Sequence, residues 1–345
     1  DFISPLIDRI QSEPWFGSSC IFFFDQKRHL DLRLVENFAI GFADPSKPRG
    51  LLDYLHSKGV NDAAILQSNL VGNNAFGKEF FSGRIIFPIF RHDGKVVALG
   101  GRIMPEAKGP KYLNSSESEI FHKGQMVYGL AQAAAALREG KPLLIVEGYT
   151  DVISLAQAGI NHAVAPLGTA FTQKHAQLLR RFSENIILLF DSDTAGNKAT
   201  ERALPELLSV GIYPSFIRLP QGEDPDSYIS RYGSIKFEQL LSQESRNLLE
   251  FLIDNNALRC ENNTAAKGRV AKEMMQLINC ISDVVVAGLY PQRLAEKLEV
   301  PSTWLAKARQ AAKNEIAPNV VIRKKPSEYL HFSVEEKVLL KLWLS

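Results

Sequence analysis

Between residues 141 and 218, short apolar runs alternate with stretches of helical spacing, and no other feature of the chain narrows its fold as much. Residues 142–146 (PLLIV), 161–165 (NHAVA), 186–190 (IILLF) and 213–219 predict strands. Helices are predicted over 151–158, 169–182 and 195–210, the first closed by Gly159 and the last by Gly211. Pro205, inside the last helix, should kink or split it. Strands that follow one another through helices pair in parallel, because a parallel neighbour needs a crossover. The segment therefore predicts an α/β unit, a parallel sheet flanked by helices.

In an open parallel sheet, ligands sit outside the carboxyl ends of the strands. Glu147 follows the first strand, and Asp191 and Asp193 follow the third, so three carboxylates should converge on one edge. Converging carboxylates repel one another unless a hard cation neutralises them, and Mg²⁺ prefers oxygen ligands. Gly148 and Gly196 would let the backbone pass closely there. A single acid after a strand caps the next helix equally well. Glu-Gly, then Asp-x-Asp, then Gly on successive turns favours the metal reading.

These residues also carry a resemblance. VEGYTDV (146–152) with FDSDTAG (190–196) resembles the toprim domain shared by bacterial primases, type IA and type II topoisomerases, and some nucleases and recombination mediators. GGRIM, KYLNSSES, FHKGQMVYGL, APLGTAFT and LPQGEDPDSYI resemble blocks of the bacterial primases, in the expected order. The likeness is dense over 51–232, looser over 233–312, and slight over 1–40. The family's aspartate motif usually reads Asp-Gly-Asp, and Ser192 stands here for the glycine.

The resemblance implies a catalytic core that makes short RNA primers on single-stranded DNA. Ribonucleoside triphosphates would be joined by attack of a 3′-oxygen on an α-phosphate, a metal-dependent nucleotidyl transfer. It implies Glu147, Asp191 and Asp193 as catalytic metal ligands for Mg²⁺ (or Mn²⁺), with Asp224, Asp226 and Asp151 completing the site. A turn around Pro225 is the alternative for Asp224 and Asp226. Structural zinc is expected only in a domain ahead of this chain, and the replicative helicase through a region of which only the start is present.

Upstream, residues 51–66 predict a helix, and 83–103 a hairpin turning at His92-Asp93-Gly94-Lys95. Residues 78–123 hold eight Lys or Arg against five acids. Arg84, Arg102, Lys111 and Lys123 could hold a triphosphate or a template backbone, and Tyr112 could stack on a base. Gly100 and Gly101, just before Arg102, suit close approach to a ligand. His122 and His175 read as surface or core residues rather than ligands.

The whole chain carries a net charge of only +2, so any basic surface must be local. Its three cysteines are widely separated, which argues against a zinc site or a disulfide framework. No apolar run approaches the roughly 20 residues of a membrane span. The chain reads as a soluble cytoplasmic fragment of something longer. The expected organisation is a mixed α+β basic subdomain (1–140), the toprim domain (141–232) and a helical subdomain (233–315). A linker and the truncated start of a helicase-binding region would follow (316–345). A topoisomerase would need a tyrosine nucleophile in a further domain. A toprim nuclease would use the same metals for hydrolysis, but nothing upstream supports it; the intact carboxylates and the basic blocks speak against a non-catalytic DNA-binding scaffold.

Overall fold

The computed structural model describes residues 31–46, 49–68, 70–71, 79–104, 108–190, 194–220, 222–260 and 263–305. The expectations for 1–30 and 316–345 lie outside the described residues, as do Asp191 and Asp193. The described residues form two compact units, one of those up to Asp254 with Cys280–Asp283, the other of those in Asn255–Asn279 and from Val284 to Leu305.

The first unit opens with α1 (Leu32–Asn37) and β1 (Gly41–Phe42). The single helix expected over 51–66 is instead two, α2 (Gly50–Ser57) and α3 (Asp62–Gln67). Gly59 adopts φ +78°, the left-handed conformation that ends helices, and the Asn61 side chain accepts from the Ala64 N–H to start the next. The hairpin forms as expected, from β2 (Arg84–Phe90) and β3 (Val96–Ile103), with Gly94 at φ +82° in its turn. β4 (Tyr112–Asn114) completes an antiparallel sheet of order β1-β2-β3-β4. Its register sets Gly100 opposite both Phe87 and Asn114, and Arg102 opposite Tyr112.

The second sheet begins at β5 (Val127–Tyr128), followed by α4 (Leu130–Arg138), β6 (Leu143–Ile145), α5 (Tyr149–Gln157) and β7 (Ala163–Pro166). It continues with α6 (Gln173–Arg180), β8 (Ile186–Leu188), α7 (Thr194–Ser209), β9 (Ser215–Phe216), α8 (Pro225–Gln243) and β10 (Arg246–Asn247). The strand order is β10-β9-β8-β6-β7-β5, parallel over the inner four and antiparallel at both edges. All four expected strands are present. The edge strands β5 and β10 are two residues long, too short to show a period in the sequence.

Leu143, Leu144 and Ile145 are fully buried, as befits a central strand covered on both faces. α7 runs through Pro205 without the expected split. Ala203, Leu204, Leu207 and Leu208 are completely buried along it, and that burial outweighs the roughly 3 kcal/mol a helical proline costs. α8 breaks instead at Gly233, whose φ of 79° and ψ of 166° are not helical.

The chain then forms α9 (Leu248–Cys260), α10 (Thr264–Asn279) and α11 (Val284–Leu298). In the second unit α10 packs against α11. Met274, Met275 and Ile278 are buried on one, Leu294, Ala295 and Leu298 on the other. The whole is mixed α+β, as expected.

Candidate metal and nucleic-acid site

β6 lies between β7, which it reaches through α5, and β8 on its other side. The connections leaving β6 and β8 therefore diverge, and the crevice of an open α/β sheet opens at such a point. Ile145 is level with Leu188, and the Leu189 N–H donates to the Ile145 carbonyl at 2.9 Å. Glu147 follows two residues later and is exposed. In sequence, Asp191 and Asp193 fall between β8 and α7. β9, parallel to β8, points the Asp224–Asp226 segment to the same edge.

Two of the expected ligands also close helices. The Asp151 carboxylate accepts from the Gly148 N–H at 2.9 Å, sealing the first turn of α5. Asp224 caps α8: its carboxylate accepts from the Ser227 N–H at 2.7 Å, and its own N–H donates to the Ser227 hydroxyl at 2.9 Å. Pro225 thus begins a helix rather than a turn. Asp226 is half-buried in the first turn. Glu223, which sequence reasoning missed, is buried and paired with Arg231, anchoring the loop ahead of Asp224.

Among the described residues no three His, Cys, Asp or Glu side chains are grouped to hold a metal ion. The donors at the edge are nonetheless all carboxylate oxygens, the donor type of a hard cation. Gly148 is extended, and a Cβ there would meet nothing closer than the Asp151 carboxylate at 3.8 Å. Packing within the described chain does not require that glycine.

The basic residues divide into groups. Arg102 donates to the Tyr112 hydroxyl at 3.1 Å and lies 5.5 Å from its ring centroid. Lys111 is 5.9 Å from the same ring. These three residues form one cluster, Arg102 on β3, Tyr112 at the start of β4 and Lys111 just ahead of it. Arg84 is buried, its guanidinium donating to the Pro110 carbonyl at 2.9 Å, and burial lowers its pKa. It braces the β3–β4 connection. Lys123 is held elsewhere, in a 3₁₀ turn (Lys123–Gln125) against α6.

The glycine pair before Arg102 serves packing rather than a ligand. A Cβ on Gly100 would lie 2.8 Å from the Tyr149 hydroxyl, and one on Gly101 would lie 2.6 Å from the Phe81 ring. Tyr149 needs that space. Its hydroxyl donates to Asn114 at 2.5 Å, and the Asn114 amide donates to the Leu167 carbonyl at 2.8 Å. Its ring stacks on Phe87 at 5.3 Å and meets Tyr128 edge-on at 4.6 Å. Burial pushes the Tyr149 phenol well above its ordinary pKa. Tyr149, two residues after Glu147, thereby ties the acidic edge to the antiparallel sheet that bears Arg102, Lys111 and Tyr112. No local pattern signalled this junction.

His175 is completely buried and His122 bonds Glu117 at the surface, so both fall in the classes expected of them.

A switch-point crevice with an exposed acid after β6, joined to an antiparallel sheet carrying clustered cations, is the architecture of a toprim-type unit with an accompanying sheet layer. The family model for the N-terminal domain of the DNA primase catalytic core matches residues 16–134, and a Toprim-like model matches residues 144–229. The first extends the likeness upstream into a region where the sequence reading found little. A crystal structure of a DNA primase domain from Pseudomonas aeruginosa superposes with a TM-score of 0.80 at 32% identity, covering 89% of this chain and 98% of that one. The DnaG primase catalytic domain bound to single-stranded DNA gives 0.77 at 32% identity, covering 88% and 96%. The DNA primase of Neisseria meningitidis serogroup B is 34% identical over 322 residues, 92% of this chain and 53% of that protein. The chain belongs to the DnaG-type bacterial DNA primases, as their catalytic core with its toprim domain. It spans about half the length of the curated primases it matches.

Proposed function

We propose that this chain synthesises short RNA primers on a single-stranded DNA template by metal-dependent nucleotidyl transfer from ribonucleoside triphosphates. The observation that carries the reading is the union of an acidic switch-point edge with a cationic sheet through Tyr149 and Asn114, in a chain of the primase family. Phosphoryl transfer is chiefly positioning and charge stabilisation, which is what such a pair of surfaces provides.

Glu147, Asp191 and Asp193 are the proposed principal ligands of Mg²⁺ or Mn²⁺. Asp224, Asp226 and Asp151 are the proposed supporting acids, and the carboxylates of Asp224 and Asp151 also cap α8 and α5. The cation would supply charge neutralisation at the α-phosphate and at the entering 3′-oxygen. Arg102 and Lys111 would hold phosphates, either of the triphosphate or of the template, and Tyr112 would pack against a base or ribose beside them. Arg84 would act through the loop it braces. A structural relative is bound to single-stranded DNA, which as the proposed template suits the cationic sheet. The replicative helicase is retained as a proposed partner through the region that residues 316–345 resemble. Zinc is assigned no site among the described residues.

Among the described residues no helix is long and apolar enough to cross a membrane; the cytoplasm is proposed as the site of action from the family's part in replication. Incubation with template DNA, ribonucleotides and Mg²⁺ should yield RNA. Glu147→Gln should reduce that yield by about 100-fold or more while the thermal melt is kept. Nicked DNA in place of RNA, or a fully active Glu147→Gln, would sink the reading.

A further inference from the structure

Two stretches of the chain, FHKGQMVYGL and APLGTAFTQKH, meet at the turn carrying Lys123. The Thr172 hydroxyl donates to the Gly124 carbonyl at 2.5 Å. His175 Nδ1 accepts from the Thr172 N–H at 3.1 Å, which places the ring proton on Nε2. That Nε2–H faces two carbonyls, Lys123 at 2.8 Å and Met126 at 3.0 Å. The Lys123 N–H donates to the Glu117 carboxylate at 2.9 Å. Two side chains from the start of α6 therefore hold three carbonyls of one short turn, and a third fixes its first N–H. The lysine at the centre of this latch is half-buried, and among the described residues no carboxylate pairs with its ammonium.

We propose that Thr172 and His175 are positioning residues that fix the Lys123 ammonium for a phosphate group. A flexible four-carbon side chain gives a loosely placed charge unless its backbone is held. The latch holds it on both sides of the peptide unit. The proposal rests on the reading of Lys123 as a phosphate contact. Its ligand chemistry is a phosphate of either the nucleotide or the template backbone, and the test separates the two.

The test uses the full chain with Mg²⁺–ATP affinity by calorimetry and the salt dependence of single-stranded DNA binding by anisotropy. Neither needs turnover. Thr172→Val removes the hydroxyl at constant shape, losing its bond to Gly124 and the cap it gives the His175 N–H at 3.2 Å, and should weaken binding about three- to tenfold, whereas Thr172→Ser should restore it. Loss in the ATP arm alone assigns the nucleotide phosphate. A DNA salt slope reduced by about one unit assigns the backbone. Lys123→Ala should weaken the same arm, and adding Thr172→Val to it should cost nothing more. His175→Gln, which keeps a donor near Nε2, should fall between wild type and Thr172→Val.

An undiminished Thr172→Val loss in the Lys123→Ala background would overturn the positioning role, as would a Thr172→Ser as impaired as the valine. Lys123→Ala silent in both arms would remove the phosphate contact itself and the proposal with it. Absence of RNA synthesis with both arms behaving as described would sink only the functional reading above.

Discussion

Adding one methyl at Gly100 tests how the two sheets are joined. The new Cβ would lie 2.8 Å from the Tyr149 hydroxyl, 2.9 Å from its Cζ and 3.2 Å from the Asn114 side-chain oxygen. Tyr149 cannot swing aside cheaply, since it is stacked on Phe87, faced by Tyr128 and bonded to Asn114. Nor can Gly100, paired on both sides within its sheet. Overpacking of this kind costs about 1–3 kcal/mol. At about 2–4 °C per kcal/mol for a domain of this size, Gly100→Ala should lower Tm by roughly 2–12 °C. Tyr149 is the first residue of α5, so the displacement should also reach Glu147 and weaken Mg²⁺ binding. Tyr149→Phe alone should cost about 0.5–1.5 kcal/mol for the hydrogen bond to Asn114. In the double variant the 2.8 Å contact is gone while the 2.9 Å contact remains, so the double variant should cost less than the sum of the two single variants by about 0.5–1 kcal/mol. Chemical denaturation of the four proteins, with calorimetric Mg²⁺ titration, measures each quantity. A Gly100→Ala within about 0.5 kcal/mol of wild type would refute the reasoning, as would strict additivity.

Two further outcomes follow from the same geometry. Burial holds His175 and His162 below the ordinary histidine pKa, so near and below pH 6.5 the unfolded chain binds protons that the folded chain refuses. Stability should be complete above about pH 6.5 and fall as pH drops through it, by up to about 1.4 kcal/mol per pH unit for each histidine. His175→Gln should flatten that decline in urea midpoints taken from pH 7.5 to 5.5, and an unchanged slope would count against the assignment. Arg102→Ala should reduce the salt slope of single-stranded DNA binding by about one unit if its guanidinium meets the template. An intact slope with a raised ribonucleotide requirement would assign it to the triphosphate instead.

What the sequence by itself determined is the part governed by local rules. Apolar runs at 142–146 and 186–190 could only be buried strands, and helices between them required parallel pairing. The sheet rule then places Glu147 at the carboxyl edge. The hairpin at 83–103 was equally legible, because Gly94 permits its turn. Tertiary structure alone decided the rest. Gly100 and Gly101 read as room for a ligand, but the space is taken by Tyr149 and Phe81, residues distant in sequence. Arg84 read as a free cation and is buried against Pro110. The helix over 51–66 broke at Gly59, where a left-handed residue ends one helix and Asn61 starts another. Asp151 and Asp224 read as ligands, and their carboxylates are also helix caps, a role set by which backbone N–H groups stand unpaired nearby. The cause is common to these cases: strand and helix periods arise from neighbouring residues. The partner of a glycine, a phenol or a buried guanidinium is chosen by packing across tens of residues, where no period survives to announce it.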